Sequence, residues 1–195
     1  MTAPRAVVGV VGTKGAFDRL TDALAAWGRA HPGAAVWVQH GEGRLPDGLA
    51  GAPLVRREAL LEKLAAADVV VTHAGSGAVR DALVLGHCPV VVPRLARFGE
   101  HVNDHQLELV DALGDRVEAV RELTPAALDA AIARAAARRG PAGSDAGAHL
   151  KDALRDDLAA VAAAPAPRRR ALVWRALALA TGWVPRRAHR WGDDA

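Results

Sequence analysis

The stretch ADVVVTHAGSGAVRDALVLG, residues 67–86, decides the fold of this 195-residue chain. Three consecutive valines and a threonine lead to His73, small residues fill the next four positions, and a helical pattern of apolar residues follows. A continuous β-branched run is typical of a strand buried on both faces, as in the centre of a parallel sheet. The stretch therefore predicts a strand–loop–helix unit, in which the glycines either form a tight turn or let a ligand approach the backbone.

Strands and helices alternate along the rest of the chain as well. Predicted strands cover residues 7–11, 35–39, 54–55, 69–72, 89–93 and 117–120, and predicted helices cover residues 18–30, 58–66, 77–85, 104–113 and 125–138. This order predicts an α/β fold, a Rossmann-like parallel sheet with helices on both faces. Such sheets bind ligands at the carboxyl ends of their strands, which here indicates the loops at residues 12–15 and 73–77.

The cysteine count, the apolar runs and the charge limit the compartments and partners that this chain can have. Cys88 is the single cysteine, so an internal disulfide is excluded and a reducing, cytoplasmic compartment is expected. The sequence shows neither a secretory signal pattern nor an apolar run of about 18 residues. Of its 25 basic and 22 acidic residues, seven and two respectively lie at positions 168–195, so the remainder is close to neutral. A near-neutral body without a nucleic-acid-binding motif argues against nucleic acid as a partner.

Gly75, Ser76 and Gly77 lie where the predicted helix begins. The first amides of a helix lack intrahelical partners and carry the positive end of its dipole, so they suit a phosphate. The pattern is neither GxGxxG nor a P-loop with its lysine, which argues against a classical dinucleotide or ATP site. Asp81 follows Gly75 by about one and a half helical turns. Its carboxylate is either a ribose ligand of a bound nucleotide or a solvated helix acid.

Two longer segments carry a specific resemblance. THAGSGAVRDALVLGHCPVVVP (residues 72–93) and RFGEHVNDHQLEL (residues 97–109) resemble the C-terminal, donor-binding half of GT-B glycosyltransferases of family 28. The likeness is greatest to stand-alone small subunits of that family. These occur in split exopolysaccharide glycosyltransferases and in the enzyme that adds N-acetylglucosamine to the dolichol-linked glycan. VVGTKGAFDRL (residues 10–20) is similar to the opening of those subunits, so the resemblance covers about residues 6–138.

The resemblance implies a set of donor-binding residues. In this reading the glycine loop holds the donor diphosphate, and Asp81 replaces the family's usual Glu at the ribose. His73, at the end of its strand, either orients that loop or is a satisfied buried histidine. A second segment positions the donor sugar, and the first loop faces the cleft between the two halves of the enzyme, although Lys14 and Gly15 depart there from the usual His-Glu. The implied donor-binding residues are Gly12, Thr13, His73, Gly75, Ser76, Gly77, Asp81, Asp104, His105 and Gln106.

The function implied by the resemblance is that of an inverting hexosyltransferase. It transfers a hexose or N-acetylhexosamine from a UDP-sugar to a lipid-linked acceptor, without a metal or any cofactor besides the donor. The acceptor half and the general base are expected in a separate, membrane-anchored subunit, so no catalytic residue is assigned in this chain. A non-catalytic UDP-sugar-binding or regulatory module is the alternative, and a nucleotide-sugar epimerase-like protein is a third.

Several charged and polar residues have ordinary structural explanations. His101 and His105 have the i, i+4 spacing of a metal pair, but no third ligand accompanies them. Asn103 and Gln106 fit a pattern like a helix capping box, which is compatible with sugar binding. Arg94, Arg97 and Glu100 lie in a loop at the mouth of the expected cleft. They are interpreted first as solvated loop charges, and alternatively as contacts to the donor or to a partner. Cys88 is interpreted as a small core residue.

The C-terminal segment differs from the body. Residues 1–164 are predicted to form the nucleotide-sugar-binding domain, and residues 165–195 a basic, helical tail rich in Arg and Trp. Residues 168–191 combine arginine with tryptophan and leucine, the composition of a helix that lies on an anionic membrane surface or docks on a partner. A disordered tail is the alternative. The expected location is cytoplasmic, peripheral to the inner face of the membrane.

Overall fold

A six-stranded parallel sheet forms the centre of the fold, in a computed structural model that describes residues 4–140. Its spatial order is β3-β2-β1-β4-β5-β6, and every neighbouring pair is parallel. The strands are β1 (Ala6–Val10), β2 (Ala35–Gln39), β3 (Ala50–Ala52), β4 (Val69–His73), β5 (Val90–Val92) and β6 (Glu118–Ala119). The predicted Rossmann-like fold is thereby confirmed.

Five α-helices cover the two faces of the sheet. They are α1 (Asp18–Ala30), α2 (Arg57–Ala66), α3 (Ser76–Val84), α4 (His105–Leu113) and α5 (Pro125–Ala137). Leu20 and Leu24 of α1 share one core with Leu128 of α5, whereas α2, α3 and α4 pack on the opposite face. The strands serve both faces in alternation, since Val7 belongs to the first core and Val8 to the second. This two-sided burial explains the continuous valine runs.

Successive strands are added on one side of β1 as far as β3, and on the other side of β1 from β4 onward. From β1 the chain moves outward to β2 and β3, and α2 then returns it to β4 on the other side of β1. The loops that follow β1 and β4 consequently leave the sheet in opposite directions and open a crevice at the carboxyl ends of these strands. The two loops singled out in the sequence lie at this crevice.

The prediction of a strand at residues 54–55 was wrong. The edge strand is β3, whose Ala-Gly-Ala sequence lacks the β-branched residues that favour strands, and Leu54 is 64% exposed in the connection that follows. Gly51 fits there because a Cβ at this position would overlap the carbonyl oxygen of Val38 in the neighbouring strand. The other predicted elements agree with the structure to within about two residues at each end.

The predicted tail, with the domain boundary at 164/165 and residues 168–191, lies outside the described residues. Within residues 4–140, the helices are too short or too polar to cross a bilayer.

Candidate functional site at the carboxyl edge of the sheet

The two predicted loops meet at the crevice between β1 and β4. The strands before them are paired, with Val10 opposite Thr72, and the Thr72 hydroxyl donates a hydrogen bond to the Val10 carbonyl at 2.8 Å. The first loop, residues 11–15, and the glycine loop, residues 73–77, therefore start from one point of the sheet edge. The prediction that these two loops lie together at one edge of a parallel sheet therefore agrees with the structure.

The His73 imidazole lies between two of the predicted glycines. A Cβ on Gly12 would come within 2.9 Å of the His73 Nε2 atom, and a Cβ on Gly75 would overlap the ring. Gly12 also has a φ of +89°, a conformation that other residues rarely adopt. Both glycines therefore have an intramolecular role, which is to leave room for the histidine.

His73 is neutral at physiological pH. Its burial lowers its pKa to about 4, and the charge of Arg94 acts in the same direction. The hydrogen bond between Nδ1 and the Val10 carbonyl, at 3.3 Å, opposes these effects only in part. Because the carbonyl is an acceptor, Nδ1 carries the proton and Nε2 presents its lone pair beside the glycines.

The N-terminus of α3 remains open. In the part of the chain that the structure describes, the N–H groups of Ser76, Gly77 and Ala78 find no acceptor, and the Gly75 N-cap position supplies no capping side chain. A Cβ at Gly77 would meet no atom within 4 Å, so this glycine faces free space. Three unpaired donors at the positive end of a helix suit an anion.

Asp81 is not a solvated helix acid. It is 7% exposed, and Arg57 binds both of its carboxylate oxygens, at 2.8 and 3.0 Å. Arg80 makes a further contact at 3.2 Å. A ribose at this carboxylate would share it with two guanidinium groups, so the assignment of Asp81 to the ribose stays a prediction.

The segment before α4 is held by its own polar side chains. Asp104 accepts a hydrogen bond from the Ala96 N–H at 2.7 Å, and the His105 ring bonds the side chain of Asn103. Gln106 is 4% exposed, and its Oε1 atom accepts the Arg94 N–H at 2.9 Å. The capping-box interpretation was therefore wrong, because the Gln106 side chain binds the backbone of Arg94, two residues beyond β5, and the N-cap position of α4 is Asp104 rather than Asn103.

Arg94 and Glu100 were interpreted wrongly as solvated charges. Arg94 is 3% exposed and donates to the carbonyls of Val11, Lys14 and Gly15, while Glu100 forms a two-point ion pair with Arg19 of α1. One feature of the sequence indicated that Arg94 belongs to the site. It follows a run of buried valines, at the carboxyl edge of the sheet where ligands bind. Arg97 is exposed, as predicted.

The two histidines of the possible metal pair and the single cysteine lie in the described part of the chain. Within residues 4–140, no group of three or more His, Cys, Asp or Glu side chains is arranged to hold a metal ion. His101 and His105 meet edge to face, with ring centroids 4.4 Å apart. Cys88 is buried, as predicted, and burial raises the pKa of its thiol to about 11, so it is not a reactive thiolate at neutral pH.

The site thus consists of three segments that converge on one edge of the sheet. Gly12 and Gly75 both lie beside the His73 ring, and Arg94 connects the first loop to Gln106. Asp81 lies on the same helix as the open amides but turns toward Arg57. For Thr13 the structure shows no contact that would give it a specific role.

The chain is similar to known glycosyltransferases. Residues 57–153 match the model of the glycosyltransferase family 28 C-terminal domain. The structure is similar to that of the glycosyltransferase of kitacinnamycin, with 25% sequence identity and a TM-score of 0.51. That match covers 80% of this chain and 41% of the other, so the chain spans about two fifths of the length of this relative. No curated protein matches the chain by sequence.

Two further glycosyltransferase structures resemble the chain more distantly. SnogD from Streptomyces nogalater has 20% identity and a TM-score of 0.42, and the match covers 76% of this chain and 43% of SnogD. CalG4, the calicheamicin glycosyltransferase, has 21% identity and a TM-score of 0.47, with 91% of this chain and 43% of CalG4 covered.

Proposed function

We propose that this chain, which carries a glycosyltransferase family 28 C-terminal domain, binds a UDP-sugar as the donor half of an inverting glycosyltransferase. The acceptor is a lipid-linked saccharide of polysaccharide biosynthesis, and the sugar transferred is a hexose or an N-acetylhexosamine. The remaining part of the enzyme, which binds the acceptor, is supplied by a membrane-anchored partner.

The observation that carries this proposal is the open N-terminus of α3 at the crevice. Its unpaired N–H groups and the free space in front of Gly77 suit a diphosphate that lies against the backbone. The buried guanidinium of Arg94 adds positive charge near the same crevice, as its effect on His73 indicates.

The chemistry follows from where charge develops. An acceptor hydroxyl attacks the anomeric carbon and forms the new glycosidic bond, while the bond from that carbon to the diphosphate oxygen breaks and UDP departs. Attack opposite to the leaving group inverts the anomeric centre, and the hydroxyl proton passes to a base on the acceptor half. The α3 amides then stabilise the negative charge that grows on the departing diphosphate.

The remaining assigned residues orient the donor. Asp104, His105 and Gln106 lie at the start of α4, on the same sheet edge as the glycine loop, and position the sugar. Asp81 receives the ribose hydroxyls alongside Arg57, which the several lone pairs of a carboxylate allow. The donor is the only small molecule that this scheme requires.

Calorimetry with UDP and a transfer assay test the proposal. We expect the chain alone to bind UDP weakly, and transfer from a UDP-sugar to occur only when membranes containing the acceptor half are added. Absence of UDP binding both with and without those membranes would overturn the donor-site assignment. Binding without transfer under any condition would favour the non-catalytic module instead.

A further inference from the structure

The side chain of Arg94 is unusual for a residue that follows the last position of a strand and a proline. It is almost completely buried, and its guanidinium donates to the carbonyls of Val11 at 2.6 Å, Lys14 at 2.6 Å and Gly15 at 2.9 Å. These acceptors all belong to the first loop, residues 11–15. Because they are backbone atoms, the arginine fixes the path of the loop whatever side chains the loop carries.

The backbone of Arg94 is fixed as well. Its N–H donates to the Gln106 side chain of α4, and its guanidinium carbon lies 5.2 Å from the ring centroid of Phe17, just before α1. Arg94 therefore joins the end of β5, the start of α4 and the loop after β1. The start of α4 is the segment assigned to the donor sugar, and the loop after β1 lies against His73 of the glycine loop, to which the diphosphate is assigned.

The charge of Arg94 lacks a close counterion. Among residues 4–140, no carboxylate oxygen lies within 4 Å of its guanidinium nitrogens, although Glu100 and Glu42 act on it from farther away. Its Nε atom is buried without a hydrogen-bond partner. A buried cation that is hydrogen-bonded only to neutral carbonyls costs free energy, and a protein retains such a group where an anion or a defined loop shape requires it.

We propose that Arg94 is a positioning residue of the donor site, which shapes residues 11–15 around the crevice and supplies the unpaired positive charge that favours a diphosphate there. The inference rests on the proposed function, because it assigns a role within the same site. Arg94 acts through the loop and through its field, without touching the reacting atoms.

The first test compares Arg94→Met and Arg94→Lys in the full chain by calorimetry with UDP. We expect Arg94→Met to weaken UDP binding at least tenfold, since both the charge and the three carbonyl contacts are lost. Arg94→Lys keeps the charge, but one ammonium group cannot reproduce the guanidinium fork, so a smaller but clear loss is expected. Arg97→Met, which removes a neighbouring exposed arginine, is the matched control and should bind as the parent does.

The second test follows the titration of the His73 imidazole by NMR, because this titration reports the charge that Arg94 places beside the crevice. Among residues 4–140, Arg94 and His101 are the groups that act on His73 by charge, and both lower its pKa. The His73 midpoint should rise in Arg94→Met and stay low in Arg94→Lys. Amide exchange at Gly15 should accelerate in both variants, because the loop that holds it loosens.

The outcomes separate this inference from the function on which it rests. A folded Arg94→Lys variant with parental UDP affinity and parental exchange at Gly15 would refute the positioning role, and this holds even if Arg94→Met fails to fold. An unchanged His73 midpoint in Arg94→Met would refute the electrostatic role. If the parent itself binds no UDP, the proposed function fails, while the exchange and titration data still report on Arg94.

Discussion

The side chain of His73 explains the conformation of the glycine loop better than a bound ligand does. The ring occupies the space that Gly12 and Gly75 leave, and its Nδ1 proton points to the carbonyl of Val10. The conformation therefore depends on a neutral imidazole, since protonation would place a charge where burial and Arg94 both disfavour it.

This dependence predicts a loss of stability in mild acid. The folded pKa of His73, about 4, lies below the ordinary 6.5, so between these values the unfolded chain binds a proton that the folded chain does not. Stability linked to His73 is thus complete above pH 6.5 and is lost as the pH falls toward 4. Between pH 7 and pH 5 the loss amounts to about 2 kcal/mol.

Urea unfolding of the parent and of His73→Asn at pH 7 and pH 5 measures this contribution. The variant should lose less unfolding free energy between the two pH values, whatever its absolute stability. His87, whose pKa burial also lowers, contributes equally to both proteins and cancels in the comparison. Equal losses in parent and variant would show that His73 does not titrate as its surroundings indicate.

At the scale of the element, the N-terminus of α3 separates a structural glycine from a ligand-facing one. Gly75→Ala should destabilise the fold by about 1–3 kcal/mol, because the new methyl group overlaps the His73 ring. Gly77→Ala places its methyl group in free space and improves helix propensity, so stability should be unchanged or up to about 1 kcal/mol higher. Its affinity for UDP should nevertheless fall at least tenfold, since the methyl group occupies the assigned diphosphate position.

Thermal unfolding and calorimetry on the two variants measure both effects. Gly33→Ala serves as the matched control, because a Cβ at Gly33 also meets no atom within 4 Å but lies in a turn away from the crevice. Parental UDP affinity in Gly77→Ala would mean that no diphosphate lies against the first turn of α3.

The elements also show what local sequence can predict. The strands β1, β2 and β4 were predicted to within one residue because two-sided burial selects a continuous apolar run. The edge strand β3 was missed, since it pairs on one side only and needs small residues near β2 rather than β-branched ones. Helices with clear start signals, such as α5 with Thr124 and Pro125 at its beginning, were predicted well.

At the scale of the whole molecule, the site is built from contacts that no local pattern contains. Arg94 bonds carbonyls about 80 positions away, and Arg19 binds Glu100 across 81 positions. In sequence, Arg94 and Glu100 have the pattern of solvated loop residues, and Arg19 falls within the predicted helix over residues 18–30. The strand order could be predicted to bring the loops to one edge, but the burial of these charges depends on acceptors that only the folded chain brings near.

The distribution of charge along the chain leads to a prediction about membranes. Seven arginines and three tryptophans lie within residues 168–191, which are outside the described part of the structure. Each cation near an anionic bilayer contributes about 1 kcal/mol to binding, and tryptophan favours the interface. If the proposed function holds, this affinity would keep a bound sugar at the surface where a lipid-linked acceptor lies.

Flotation with vesicles tests the tail directly. The full chain should float with vesicles containing phosphatidylserine and much less with neutral phosphatidylcholine vesicles, and added salt should release it. A chain ending at residue 166 should stay at the bottom of the gradient, and replacement of Arg168, Arg169 and Arg170 by glutamine should give intermediate recovery. Circular dichroism of each variant provides the control for folding. Equal recovery of the full and shortened chains would show that the tail does not attach the chain to the membrane.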